Sequence, residues 1–168
     1  MPGHPESVIR IRKFRRDEVA VLERVFDGMS TLSRYLRYHS ATSRLTGAHR
    51  RALTAVDDRR HVAFVAERLG TDGWRPEGLG RLVDVGGGHA EIAVEVVDVR
   101  HRQGTGEALV RALAAEARAM GFGWLTARVL RINAPMLRLL EKVFPDADVS
   151  PDGSALALDM HLWRLTTV

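Results

Sequence analysis

Ten consecutive residues, Asp98-Val99-Arg100-His101-Arg102-Gln103-Gly104-Thr105-Gly106-Glu107, carry the types best suited to gripping an anion. A strand-like apolar run, 92 to 99, enters the segment, and a helix-like run, 107 to 120, leaves it. Glycines at a strand-to-helix joint let the backbone turn tightly and leave its N–H groups uncovered. The start of a helix carries partial positive charge, so the joint suits a phosphate or pyrophosphate. Arg100 and Arg102 add fixed cations that can pair with phosphate oxygens. A plain glycine turn ahead of a core helix has the same appearance, so the neighbouring residues decide.

Glu91 opens the apolar strand before this joint. Strand alternation puts Glu91, Ala93 and Glu95 on one face and Ile92, Val94 and Val96 on the other. Burial of a carboxylate there would raise its affinity for a proton toward a value useful in acid–base work. A glutamate standing in water after Gly86-Gly87-Gly88 is the plain alternative. Tyr35 and Tyr38, spaced i, i+3, share a helix face and suit either an amine channel or core packing. The seven histidines form no HExxH or similar pair, and cysteine is absent, so neither a metal site nor a disulfide is expected.

These residues need a scaffold of alternating elements. Ser7 to Phe14 alternates and reads as a first strand. Asp17 can cap a helix with Val19, Leu22, Val25 and Phe26 on its apolar face. Short helices follow at 29 to 38 and near 47 to 53. Strands are predicted at 61 to 67, 79 to 85 and 90 to 99, with 70 to 78 as a hairpin connection. A helix with Leu109, Ala112, Leu113, Ala117 and Met120 on one face ends at Gly121. Then come a strand, 124 to 130, and a helix capped by Asn133 and stopped by Pro145. Two last strands are expected near 147 to 149 and 155 to 163, around the turn Pro151-Asp152-Gly153. Hairpin-linked strands followed by a β-α-β unit imply an α/β (α+β) mixed, mostly antiparallel central sheet with helices on both faces.

The 168 residues suit one domain, 1–168, with a full hydrophobic core. Hydrophobic residues make up 45% and charged residues 27%, as in ordinary globular proteins. The formal net charge of +4 favours acidic partners, nucleic acid or a phosphate-rich ligand. No nucleic-acid-binding motif accompanies it, and the arginines are scattered. The cluster Arg10, Arg12, Lys13, Arg15 and Arg16 reads as the wet face of a strand and turn. The N-terminus lacks an apolar signal region and no run reaches membrane-spanning length, so a cytoplasmic protein without a membrane partner is expected.

The element order and several segments resemble the GNAT superfamily of acyl-CoA-dependent N-acyltransferases. The family's central motif appears as His101-Arg102-Gln103-Gly104-Thr105-Gly106, with His101 where Arg or Gln is usual. Val129-Leu130-Arg131-Ile132-Asn133 matches the family's Asn at the start of the next helix. Within the superfamily the chain is most similar to the acetyltransferase domain of bacterial Pat-type protein lysine acetyltransferases. Leu32 to Tyr38, Val56-Asp57 with 61 to 66, and Ala90-Glu91-Ile92-Ala93-Val94 carry that likeness.

The resemblance implies acetyl-CoA as acyl donor, no metal, and a primary amine, a protein lysine or a small molecule, as acceptor. It gives Glu91, in the Ala-Glu-x-Ala position, the role of general base, with Glu95 as fallback. Pantetheine amides would pair with main chain at Val97 to Val99, and an N–H near Val97 would face the thioester oxygen. The pyrophosphate would sit on amides of Arg102, Gln103, Gly104, Thr105, Gly106 and Glu107, assisted by Arg100, with Asn133 nearby. Arg34, Tyr35 and Tyr38 would form one wall of the acceptor groove. Family members are often dimers, and the C-terminal strands suit pairing into a homodimer. Leu140 stands where many members place a tyrosine acid, and Phe144-Pro145 replaces a Gly-Phe. A non-catalytic acyl-CoA-binding sensor is therefore the second reading and a basic nucleic-acid-binding protein the third.

Overall fold

The computed structural model describes residues 8–164. Ser7, expected to open the first strand, and the N-terminal residues read for a signal region lie outside the described residues. The elements follow in the order β1 (Ile9–Lys13), α1 (Val19–Asp27), α2 (Thr31–Tyr38), α3 (Gly47–Thr54), β2 (His61–Gly70), β3 (Gly73–Gly86) and β4 (His89–Val96). Then come α4 (Thr105–Ala119), β5 (Trp124–Leu130), α5 (Ala134–Val143), β6 (Asp148–Asp152) and β7 (Ala155–His161). The strands form one seven-stranded sheet in the order β1-β2-β3-β4-β5-β7-β6. Only β4 and β5 run parallel, so the sheet is mixed and mostly antiparallel, as expected.

Each face of the sheet carries its own core. Leu109, Leu113 and Ala117 of α4 and Leu140 and Val143 of α5 pack on one face against Leu82, Ile92 and Val94. Each fully buried leucine of this kind contributes about 1.5–3 kcal/mol. Leu22, Val25 and Phe26 of α1 pack on the other face with Phe14, Val65 and Leu79. No helix among the described residues is long and apolar enough to cross a membrane.

Several elements differ from their predicted form. Glu18, not Asp17, occupies the N-cap of α1, without a side-chain capping bond. Its carboxylate is engaged instead by the Arg15 N–H at 2.8 Å and by Arg12. The 70–78 connection is shorter than expected. Thr71-Asp72 makes the turn, and β3 runs from Gly73 straight through Pro76. A register shift at Ala66/Glu67 of β2 accommodates this, because a bulge spares the ladder the N–H that proline lacks. Strand β6 likewise continues through Pro151 and Asp152. Asp57 organises the entry to β2. Its Oδ1 accepts from the N–H groups of Arg59, Arg60 and His61 at 2.9, 2.8 and 2.9 Å. These bonds, His61 foremost, hold its carboxyl down to about 2.

The largest correction concerns 97 to 99. Strand β4 stops at Val96, and Asp98–Arg100 forms a 3-10 turn. The cause lies at the α1–α2 junction. The Asp98 N–H donates to Gly28 O at 2.9 Å, and Asp98 Oδ1 accepts from the Ser30 N–H at 3.0 Å. The chain is thereby drawn off the sheet. The junction fits only because Gly28 has no side chain: a Cβ there would lie 2.4 Å from Val97 Cγ1 and 2.9 Å from Val97 Cβ. Gly28→Ala is expected to cost about 1–3 kcal/mol of stability, read as a lower urea midpoint, because neither partner can move aside freely. An unchanged midpoint would refute this contact.

Candidate active site

Strands β4 and β5 pair only at His89–Trp124, Ala90–Leu125 and Glu91–Thr126. Beyond Glu91 they diverge, and a small cleft, partly open to solvent, lies between them. Ile92, Ala93 and Val94 of β4 face Ala127, Arg128 and Val129 of β5 across it. Val110, Asn133, Met136 and Leu140 close it on the α4–α5 side. Leu36, Arg37 and His39, from the end of α2, close it on the other.

Diverging strands leave backbone groups without partners, and alternation says which ones. The Val97 N–H donates to Glu77 O of β3 at 2.9 Å. Successive residues point to opposite edges, so the main-chain groups of Val94 and Val96 are directed toward the cleft. The Val97 N–H itself is thus taken, and the nearest main chain directed toward the cleft is that of Val96. Val99 does not extend the edge either. It sits in the 3-10 turn, and its carbonyl accepts from Gln103 Nε2 at 3.0 Å. A ring nitrogen of His101, Nε2, already lies 3.0 Å from Val96 O.

The glycine joint has the predicted form. Gly104, with φ of 85°, occupies the N-cap of α4, and no side chain caps the helix. The first helical bond runs from Ala108 N–H to Gly104 O, so the N–H groups of Thr105, Gly106 and Glu107 lie in the turn that helices leave unpaired. Arg102 adopts φ of 59° beside them and is exposed, as is Gln103. Arg100 turns inward, with Nε 3.4 Å from Glu77 Oε2. Thr105 is buried, and its hydroxyl is turned to Glu77 beneath the turn. Lys142 of α5 reaches Glu107 at 2.6 Å, and with Arg111 it holds that carboxyl below the usual range. Lys142 was not singled out from the sequence.

A buried network fixes this turn from beneath. Glu77 accepts from Arg68 Nε and Nη2 at 2.8 and 3.0 Å, and from the Thr105 hydroxyl at 2.6 Å. The sequence signal, charged residues inside the apolar strands β2 and β3, was present but was not used.

On the acceptor side the predicted residues separate. Glu91 is exposed on the rim where the strands part, not buried as expected. Glu95 is the buried one, 2.8 Å from Arg37 and 3.9 Å from Arg81. Arg34 is a structural clip. It donates to Phe26 O and Ser43 O and stacks on the Phe26 ring. Tyr38 packs against Phe26 and bonds Glu95 through its hydroxyl. Burial, then the Glu95 charge, pushes that hydroxyl above its ordinary range, so it stays protonated. Tyr35 is exposed, and neither tyrosine lines the cleft. Asn133 does line it. Its side chain accepts from Met136 N–H at 3.3 Å and caps α5.

His39 is the residue that the sequence reading missed. It ends α2 in the left-handed region, with φ of 58°, and faces the cleft. Burial, Arg128 and Arg37 lower its proton affinity, and Glu91 opposes them. Burial, then Arg81, lowers His61 in the same way. Both folded-state values lie below the unfolded value of about 6.5, so the unfolded chain takes up protons first as pH falls. Stability present above about pH 6.5 is therefore expected to decline as pH falls through the folded values. Urea midpoints across this window check it. His39→Gln and His61→Gln should each flatten the slope, and a flat wild-type profile would contradict the assignment. Asp57 and Glu107, held low, act in a separate window below the ordinary carboxylate range.

The mixed sheet, with β4 and β5 parting beside the uncapped α4, is similar in fold to several solved N-acetyltransferase structures. The chain resembles the GNAT domain of S. lividans PAT, with 22% identity, a TM-score of 0.81 and coverage of 91% of this chain and 90% of that one. It also resembles PaiA N-acetyltransferase from Thermoplasma acidophilum in complex with coenzyme A, with 15% identity, a TM-score of 0.68 and coverage of 92% and 99%. The structure of yncA from Salmonella typhimurium with its cofactor acetyl-CoA matches with 17% identity, a TM-score of 0.65 and coverage of 95% and 96%. No family model and no curated protein matches the chain.

Proposed function

We propose that this chain transfers an acetyl group from acetyl-CoA to a primary amine. The observation that carries the reading is a single juxtaposition. The cleft between β4 and β5 opens directly after Glu91, and the uncapped start of α4 follows the far end of β4. The donor substrate, when bound, supplies an acetyl thioester. Main-chain N–H groups of Thr105, Gly106 and Glu107, with Arg102, suit its diphosphate. Main chain at Val94 and Val96 suits the amides of its arm and the oxygen that gains charge. His101 must release Val96 O for the arm to use it. The amine reaches the carbonyl from the side of Arg37 and His39. Its nitrogen forms the C–N bond, the C–S bond breaks, the amine's proton passes to Glu91 directly or through water, and the departing thiolate takes a proton from water. A lysine ammonium, with a reference value of about 10.4, is almost wholly protonated at neutral pH, so this proton acceptor is required.

Titration calorimetry with acetyl-CoA, CoA and dephospho-CoA, followed by an amine screen, tests the proposal. Saturable binding of acetyl-CoA with acetylation of an amine is expected. No binding of any of the three overturns it. The fully buried Leu140 in the cleft wall, which can donate no proton, favours a non-catalytic acyl-CoA-binding domain as the second reading. Binding without transfer to any amine would select it.

A further inference from the structure

We infer that the acceptor is a small aminocarboxylate, whose carboxylate is received by the guanidinium of Arg37 in the cavity wall. This rests on the reading of the cleft as an amine acetyltransferase site.

The charges behind the cleft do not balance. Arg37 of α2 and Arg81 of β3 flank Glu95 of β4, which contributes one carboxylate against two guanidiniums. Arg81 and Glu95 are each 4% exposed. The remaining partners are neutral. Arg81 Nη1 donates to Leu53 O at 2.5 Å, its guanidinium lies over the Phe14 ring, and the Tyr38 hydroxyl bonds Glu95. Arg37 lies over the Tyr38 ring. Arginine does not shed its proton in proteins, so the excess positive charge is fixed. Burial holds Arg81 below the ordinary arginine range.

Donors are also left over. Arg37 Nε and Arg81 Nε and Nη2 are buried without a hydrogen-bond partner. Arg37 Nε touches Glu95 but is not aligned to bond it. Buried donors in that state call for a reason, and Arg37 is the one of the two arginines that borders the cavity. Arg81 stands opposite Ala93 in the β3–β4 register, one strand from the cavity, and Arg37 lines the cavity itself.

The lining points the same way. Among the described residues it contains Arg37 and Arg128 and no carboxylate, and Arg128 is already held by Asp152 at 2.5 Å. With Arg128 paired to Asp152, the one net positive charge of the Arg37–Arg81–Glu95 group remains behind the cleft, and an aminocarboxylate brings an anion to meet it while its ammonium lies toward Glu91 on the rim. The Arg37 side chain is only 16% exposed. A small molecule inside the cleft meets it. A carboxylate beside a lysine on a protein surface stays outside.

Initial rates with matched acceptors test the inference on the unaltered protein: δ-aminovalerate against pentylamine, and free lysine against cadaverine. The carboxylates should have kcat/KM about tenfold or more higher, mainly through KM, as one charge-assisted bond predicts. Arg37→Gln should remove that preference, bringing the two members of each pair to equal kcat/KM, and Arg37→Lys should restore part of it. Equal rates within each wild-type pair, or a lysine peptide that outperforms both, would overturn the inference while leaving amine acetylation in place. If no amine is acetylated, the functional reading fails, and calorimetry with glutarate decides the carboxylate site alone. Saturable binding lost in Arg37→Gln supports it, and no binding to wild type overturns it.

Discussion

Glu91→Gln is expected to lower turnover by about a hundredfold to ten-thousandfold, the range that loss of a positioned proton acceptor produces. The acetyl-CoA Kd and the urea midpoint should stay at wild-type values. The amide keeps the shape and the exposed rim position of Glu91, and no core contact depends on the charge. What disappears is a basic oxygen at the point where β4 and β5 part. Glu95→Gln should behave in the opposite manner. It removes the anion shared by Arg37, Arg81 and Tyr38, so stability should fall, with any loss of rate following from that. The pair of variants thus separates a proton acceptor from a buried counter-ion. Full turnover in Glu91→Gln would remove Glu91 from the mechanism and direct attention to His39, whose imidazole is held neutral near the same cleft.

What the sequence disclosed and what it hid follow from the range of the forces involved. The joint at Gly104 was legible because its conformation is set locally, by a glycine at φ of 85° and the helix that follows. Asn133 was legible for the same reason, as a side chain capping its own helix. The end of β4 was not. Val97 and Val99 look like strand residues, and what stops the strand is the Gly28 carbonyl and the Ser30 N–H, from a distant part of the chain. Continuation of β3 through Pro76 comes with a bulge at Glu77, visible only in the register of β3 against Ala66 and Glu67 of β2. Charged residues misled most. Glu91 and Glu95 share one strand face, and alternation cannot tell which of them α2 covers. Arg34 and Tyr38 were placed on the groove wall from resemblance, yet their neighbours Leu36, Arg37 and His39 line the cleft. A rotation of this short helix by one residue decides between the two sets, and only tertiary packing fixes it.

Glu77→Ala is expected to destabilise the fold by about 3–5 kcal/mol, as removal of one partner from a buried ion pair generally does. The substitution takes away the carboxylate that Arg68 holds through two bonds, that the Thr105 hydroxyl donates to, and that Arg100 approaches. Thr105 is the first residue of α4, so the loss falls on the turn proposed to hold the diphosphate. The acetyl-CoA Kd should therefore rise in protein that is still folded at low urea. A drop in both properties alone would not distinguish a positioning role from general damage. The double variant Arg68→Met/Glu77→Leu does. It replaces the pair with apolar groups of similar size, a change that is often neutral for stability. Recovery of the urea midpoint with a Kd still raised would show that Glu77 acts by fixing Thr105 and the adjoining N–H groups. Recovery of both would show that packing beneath the turn suffices and that the Glu77–Thr105 bond does not set the geometry of the anion site.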